Sequence, residues 1–182
     1  MPGPDLPVAD DADPRPASDD VVLRTATVGD LPALAAIYND EVLHSVATFD
    51  VEPQPPELFA ERVASTRPGD HVVVAQEGGR VLGMAYAATY RSRPAYDGTR
   101  ETSVYLAPEA RGRGLGRALY DELLRRVDAD GIHVCLAVIA QPNAASEALH
   151  AAVGFERVGT LPEVGRKFDR WVDIAWWHRL RP

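Results

Sequence analysis

Apolar positions recur along the chain at two periods, near two residues and near 3.6, which predicts strands interleaved with amphipathic helices. Val21 to Arg24 reads as a short strand. Asp30 then stands as the cap of a helix with Pro32 in its first turn, whose Leu31, Leu34, Ala35 and Tyr38 share a face and which ends near Val42. Three prolines from Thr48 to Pro56 predict a loop, followed by a short helix with Leu58, Phe59 and Val63 turned inward. His71 to Gln76 and Val81 to Tyr90 flank Glu77-Gly78-Gly79-Arg80, a hairpin whose glycines supply the positive φ angles of a tight turn.

Thr102 to Ala107 is a further strand, stopped by Pro108. Arg117 to Asp128 places Leu119, Leu123, Leu124 and Val127 on one side of a helix, with Asp121–Arg125 and Glu122–Arg126 as i,i+4 pairs and Gly131 at its C-terminal cap. Ile132 to Ala140 is almost wholly apolar, as in a strand covered on both faces. The strand–helix–strand order implies a parallel pair with a right-handed crossover. Asn143 caps a helix through Val153 that Gly154 ends, and Phe155 to Val158 and Trp171 to Trp177 are the last strands. The expectation is an α/β fold, a mixed central β-sheet flanked by helices, in a single domain over residues 21–182.

Composition narrows the function classes. With 182 residues and 46% apolar content, the chain can bury one core without cross-links. Its single cysteine, Cys135, excludes an intramolecular disulfide, so a cytoplasmic setting is the default. The longest apolar run, Val134 to Ala140, is far short of the roughly 20 residues of a bilayer span. The N-terminus has neither the basic start nor the apolar stretch of a secretion signal. The net charge of −8 is concentrated in residues 1–20, which hold six Asp, one Arg and five Pro and read as a disordered acidic tail. No basic stripe is present, which argues against nucleic acid as a partner.

The densest chemical signal is Val104-Tyr105-Leu106-Ala107-Pro108-Glu109-Ala110-Arg111-Gly112-Arg113-Gly114-Leu115-Gly116. A strand runs into three alternating glycines and then a helix, so backbone N–H groups converge at the positive end of a helix dipole, a geometry that binds phosphate. The dinucleotide fingerprint G-x-G-x-x-G fails, because Arg117 stands where its last small residue belongs, and no P-loop occurs. The alternative reading is a glycine-rich turn, or a solvated basic patch of Arg111, Arg113 and Arg117. Each glycine costs roughly 0.5 to 1 kcal/mol in backbone entropy relative to alanine, which weighs against an idle turn.

The pattern R-x-x-G-x-G of Arg111, Gly114 and Gly116 resembles the pyrophosphate loop of the acetyl-CoA-dependent GNAT acyltransferases. Asn143, Ser146, His150, Gly154 and Phe155 resemble a second GNAT signature, in which an asparagine contacts the pantetheine arm and a tyrosine seven residues later faces the thioester sulfur. Here His150 takes the tyrosine's place, as in the phosphinothricin N-acetyltransferase subfamily. The resemblance to that subfamily extends over Tyr38-Asn39, Thr48-Phe49, Tyr90 to Asp97, Glu101, Ala137-Val138-Ile139 and Gly165 to Asp173, and covers residues 22–180. Val172 departs from the histidine the family often carries before the final aspartate.

The resemblance implies a GNAT fold, acetyl-CoA as co-substrate and acetyl transfer to the α-amine of a small acceptor of the phosphinothricin, methionine sulfoximine or sulfone type. It also implies a homodimer and a role in herbicide or antibiotic resistance. Cofactor contacts fall on Val104, Tyr105, Leu106, Arg111, Gly112, Arg113, Gly114, Leu115, Gly116, Arg117, Asn143 and Ser146. Glu101 is the base expected to take the ammonium proton, placed just before the cofactor strand; its ordinary alternative is a surface glutamate beside Arg100. A backbone N–H near Leu106 is the expected oxyanion donor. His150 either protonates the leaving sulfur or shapes the acceptor pocket, or is a half-buried structural histidine. Arg91 and Arg93 are candidate anchors for an acceptor carboxylate or else solvated arginines, and Phe49, Tyr96 and Trp171 are candidate apolar walls. His44, His71, His133 and His178 lack metal-ligand spacing, so no metal is expected. The rival functions are a GNAT acting on protein N-termini or other amines, and a non-catalytic acyl-CoA sensor.

Overall fold

A computed structural model describes residues 21–181, so the acidic proline-rich stretch lies outside the described residues. Seven strands, β1 (Val22–Thr25), β2 (His71–Glu77), β3 (Arg80–Thr89), β4 (Thr99–Leu106), β5 (Val134–Ala140), β6 (Glu156–Lys167) and β7 (Arg170–Leu180), form one sheet in the order β1-β2-β3-β4-β5-β7-β6. Every neighbouring pair is antiparallel except β4 and β5, whose parallel pairing follows from the helix between them.

Strand alternation divides the core between the two faces of the sheet. Val73, Ala75, Ala85 and Ala87 turn to α3 (Leu115–Ala129), whose Leu119, Tyr120, Leu123 and Val127 are fully buried on them. Val72, Val74, Leu82 and Met84 turn the other way, to Leu34, Ile37, Tyr38 and Val42 of α1 (Leu31–His44) and to Phe59 just before α2 (Ala60–Ala64). Each Val, Leu, Ile, Met or Phe among them contributes about 1.5–3 kcal/mol from burial, and each alanine less. α4 (Ala144–Ala152) closes the α3 side, capped as expected by the Asn143 side chain, which accepts from the Ser146 N–H at 3.1 Å. Cys135 is buried on β5, which pushes its thiol up to about 12.

Several expected boundaries shift. Gly78 and Gly79 both have positive φ and make the β2–β3 turn as the sequence predicts. β4, however, begins at Thr99 rather than Thr102, so Glu101 lies inside the strand. α3 begins at Leu115 rather than Arg117, because Gly114 takes a left-handed conformation and starts the helix itself. Arg125 pairs with Glu122 rather than Asp121, while Arg126 pairs with Glu122 as expected. β6 runs to Lys167 instead of stopping at Val158. As an edge strand it tolerates Pro162, and it shifts register between Arg157 and Gly159 and between Leu161 and Gly165, which hides its period.

Asp30 does not cap α1 through its side chain. Its carboxylate instead accepts from the Thr27 N–H at 2.7 Å and from both ends of the Arg24 guanidinium at 2.8 Å, which holds its pKa at about 2. A depressed carboxylate stabilises the fold above its unfolded pKa and loses that stabilisation as pH falls toward the folded value. Asp30→Asn is expected to lower stability by about 1–2 kcal/mol at neutral pH, with the difference from wild type shrinking between roughly pH 5 and pH 2. Thermal unfolding across that range measures it.

Candidate active site

β4 and β5 are paired only over Thr99–Val134, Arg100–Cys135 and Glu101–Leu136. Beyond Glu101 the strands part: β4 stays with β3 as far as Leu106, and β5 stays with β7 as far as Ala140. On the parted side of β4, alternate backbone N–H and C=O groups have no sheet partner. The gap widens into a cleft of about 480 Å³. It is walled by Thr102, Ser103, Val104, Tyr105 and Leu106 on one side and Val138, Ile139 and Ala140 on the other. Arg111, Gly112 and Gly116 close one end, Asn143, Ser146 and His150 lie along α4, and Glu41, Ser45, Val46 and Ala47 come from the end of α1.

The glycine loop meets this cleft at the N-terminus of α3. Gly112 and Gly114 have φ of 74° and 79°, and a Cβ at either would meet no atom within 4 Å, so the backbone presents an open face. Gly116 brings the first turn close to Leu149 of α4 and Leu106 of β4. The arginines are already paired. Arg111 donates to Asp40 and Glu41 at 2.9 Å each, Arg113 to Glu77 at 2.5 Å, and Arg117 lies 3.6 Å from Asp121. What the loop offers an anion is therefore backbone N–H groups and the helix dipole rather than free guanidinium charge. Arg113, Gly114, Leu115 and Arg117 are in the loop and first turn but not in the cleft wall, and Leu115 is buried in the core.

His150 is 4% exposed and held at both nitrogens. Nδ1 lies 2.7 Å from the Ser146 carbonyl, which can only accept, so Nδ1 carries the proton; Nε2 then accepts from the Tyr120 hydroxyl at 2.9 Å. Thr102 Oγ1 lies 3.4 Å from that hydroxyl and donates to the Leu136 carbonyl at 3.2 Å, at the point where β4 leaves β5. Burial lowers the His150 pKa, so the neutral ring is favoured.

Glu101 is the last residue of β4 paired with β5 and is not part of the cleft wall; its side chain turns to the opposite face of the sheet from His150. Thr102 and Val104 turn to α3, so Glu101, Ser103 and Tyr105 turn to α1 and α2, where Tyr105 meets Tyr38 edge-on. Burial raises the Glu101 pKa, an effect that the charge of Arg62 partly offsets.

The remaining candidates fall in two places, Phe49 and Trp171 at the β6–β7 hairpin and Arg91, Arg93 and Tyr96 on the β3–β4 loop. The Phe49 ring rests on Gly165, where any Cβ would overlap it. Lys167, 4% exposed, donates to the Thr48 carbonyl at 2.8 Å, and Tyr38 bonds Thr48 and Asp50 at 2.5 and 2.7 Å, so the loop after α1 is tied to β6. Arg91 lies over Tyr90 and Tyr96, at 5.0 and 5.9 Å from their ring centroids. Arg93 is exposed, and Trp171 is 61% exposed. None of these five candidates, Phe49, Arg91, Arg93, Tyr96 and Trp171, lines the cleft.

Residues 34–155 match the family model for the acetyltransferase (GNAT) family. The chain belongs to that family. It is 43% identical over 169 residues to phosphinothricin N-acetyltransferase of Streptomyces coelicolor, covering 90% of this chain and 98% of that protein. It is 41% identical over 158 residues to the L-methionine sulfoximine/L-methionine sulfone acetyltransferase of Pseudomonas paraeruginosa, covering 84% and 90%. Among solved structures, a phosphinothricin acetyltransferase of Sinorhizobium meliloti in complex with acetyl-CoA superposes with a TM-score of 0.83 at 40% identity, over 88% of each chain. This acetyltransferase has the mixed seven-stranded sheet and flanking helices of the GNAT fold. Among its described residues no helix is long and apolar enough to cross a membrane.

Sequence reasoning missed Tyr120 and Thr102 in this GNAT cleft. Tyr120 sits on the apolar face of α3 and reads as core, since its hydroxyl acquires meaning only beside His150. Tyr120→Phe leaves Nε2 of His150 buried without a donor and is expected to cost about 1–3 kcal/mol of stability. Urea unfolding checks this against His150→Leu,Tyr120→Phe, in which both polar partners are gone and part of the loss is recovered.

Proposed function

We propose that this chain moves acetyl from acetyl-CoA directly to the α-amine of a small amino-acid acceptor, of the kind that names its phosphinothricin and methionine sulfoximine/sulfone relatives. The observation that carries the reading is the parting of β4 from β5 into a cleft that His150 lines, just past Glu101, the last residue of β4 still paired with β5. A thioester lying in the gap can hydrogen-bond to the free edge of Val104, Tyr105 and Leu106, while its pyrophosphate meets the backbone of residues 111–117 and its pantetheine arm passes Asn143 and Ser146.

The chemistry follows from the two faces. Glu101 takes a proton from the acceptor's ammonium, directly or through one water, and the freed amine attacks the thioester carbon. A backbone N–H of the parted strand, near Leu106, stabilises the oxyanion. The C–S bond then breaks, and the thiolate takes up a proton. Neutral His150 has its Nδ1 proton bound to a carbonyl, which supports a role in holding the wall beside the sulfur rather than in donating to it. A homodimer fits the exposed Val158, Leu161 and Val164 on edge strand β6, with Phe168 and Trp171 beside them at the hairpin end. A cytoplasmic location fits the lone buried cysteine.

Glu101→Gln keeps the shape and loses the base. The turnover number is expected to fall by roughly 10² to 10⁴ with acetyl-CoA binding intact, and the two pH profiles should converge as the acceptor amine becomes neutral. Near-normal turnover at neutral pH would remove Glu101 from the mechanism. Gly114→Val is expected to weaken acetyl-CoA binding at least tenfold in calorimetry, because a side chain would occupy the open backbone face. The acceptor KM should change little.

A further inference from the structure

Lys167 is the only lysine among the 19 lysine and arginine residues of the chain, and it is buried. Its ammonium pairs with no carboxylate among the described residues. It is spent instead on two backbone carbonyls, Thr48 at 2.8 Å and Glu41 at 3.4 Å. The carboxylates of Asp50 and Glu41 are near enough to favour its charged form against the cost of burial. A compact ammonium on a flexible stem reaches two carbonyls in an enclosed space that the planar fork of an arginine fits less well. Glu41 lies in the last turn of α1, at the negative end of the helix dipole, where a cation is favoured.

The two carbonyls bracket one segment. Between them Ser45, Val46 and Ala47 form a wall of the cleft where β4 and β5 part. Val46 packs with Ala140 of β5 and Val172 of β7. At the α1 end the segment is held by Arg111 of the glycine loop, which donates to Asp40 and Glu41. It thus runs from the glycine loop to the β6–β7 hairpin, and Lys167 is its polar fastening at the hairpin end.

We propose that Lys167 is a positioning residue for the co-substrate cleft: by binding the carbonyls of Glu41 and Thr48 it sets the wall of Ser45, Val46 and Ala47 in place before acetyl-CoA arrives. This rests on the reading of that cleft as the acetyl-CoA site. Without the ammonium, the Thr48 carbonyl loses its charged donor in an enclosed place, and the apolar contact of Val46 is what still holds the segment to the hairpin. The wall then samples arrangements in which the cleft is incomplete. A ligand that needs the complete wall binds more weakly in proportion to the fraction that is complete, while the complex, once formed, has the wall in place. The effect therefore falls on co-substrate affinity and spares turnover at saturation.

The test measures acetyl-CoA affinity by calorimetry, kcat at saturating acetyl-CoA, and amide hydrogen exchange, for wild type, Lys167→Met, Lys167→Gln and Asp30→Asn. Lys167→Met keeps the stem and removes the donors; it is expected to weaken acetyl-CoA binding roughly tenfold with kcat near wild type. Amides of residues 45–49 should exchange faster in the free variant and slow again when acetyl-CoA is bound, while those of β2 stay at the wild-type rate. Lys167→Gln retains a shorter donor and should lose less affinity; it carries the comparison if Lys167→Met does not fold. Asp30→Asn, whose side chain is bound to Arg24 and Thr27 away from the cleft, lowers stability and should leave acetyl-CoA affinity unchanged, which separates positioning from general destabilisation. If a folded Lys167 variant binds acetyl-CoA as wild type does, with unchanged exchange at 45–49, the assignment is overturned. If wild type itself binds no acetyl-CoA, the reading of the cleft is wrong and the assignment falls with it.

Discussion

The candidate active site depends on two parallel strands that stop bonding after three residue pairs. A continuous ladder between β4 and β5 would satisfy the backbone and leave no entrance. Parting them exposes hydrogen-bonding groups that would be costly if sealed from water, and the open cleft keeps them solvated until a ligand of suitable shape replaces the water. The side chain of Thr102 marks the transition. It reaches the Leu136 carbonyl across the gap at the first position where backbone pairing has ended.

The same parting lets one site draw on both layers of the fold. Side chains that alternate along a strand normally serve separate cores, and here the α3 side brings His150 with Tyr120 to the cleft while the α1 side brings Tyr105 and Glu41. The charge around the glycine loop is balanced internally, with Asp40, Glu41 and Glu77 taking up Arg111 and Arg113. Recognition of a diphosphate by oriented N–H groups needs no net positive patch, which reconciles an acidic protein of net charge −8 with a polyanionic co-substrate.

Much of this was legible in the sequence because the decisive elements are local. The glycines at 112, 114 and 116, the Asn143 cap and the apolar run of β5 each declare themselves within a few residues. What was not legible is what arises only across the sheet. Arg62 belongs to a helix of five residues, and only the fold lays its guanidinium over the rings of Tyr86 and Phe59. Lys167 lies where no strand was expected, and only the fold buries it against the Thr48 carbonyl. β6 escaped because its turn places Phe168 and Asp169, neither of them glycine, at positive φ, and because its register shifts break the two-residue alternation.

The burial of Cys135 bears on how the reaction can be watched. Acetyl transfer frees the thiol of coenzyme A, and a disulfide reagent that reports free thiols reacts through the thiolate. The protein's sole sulfhydryl is enclosed beneath α3 with its ionisation pushed up to about 12, so it is almost entirely protonated and out of reach at working pH. A colorimetric trace taken on the folded enzyme therefore records product alone, and a slow extra equivalent of colour would signal the sheet coming open rather than turnover.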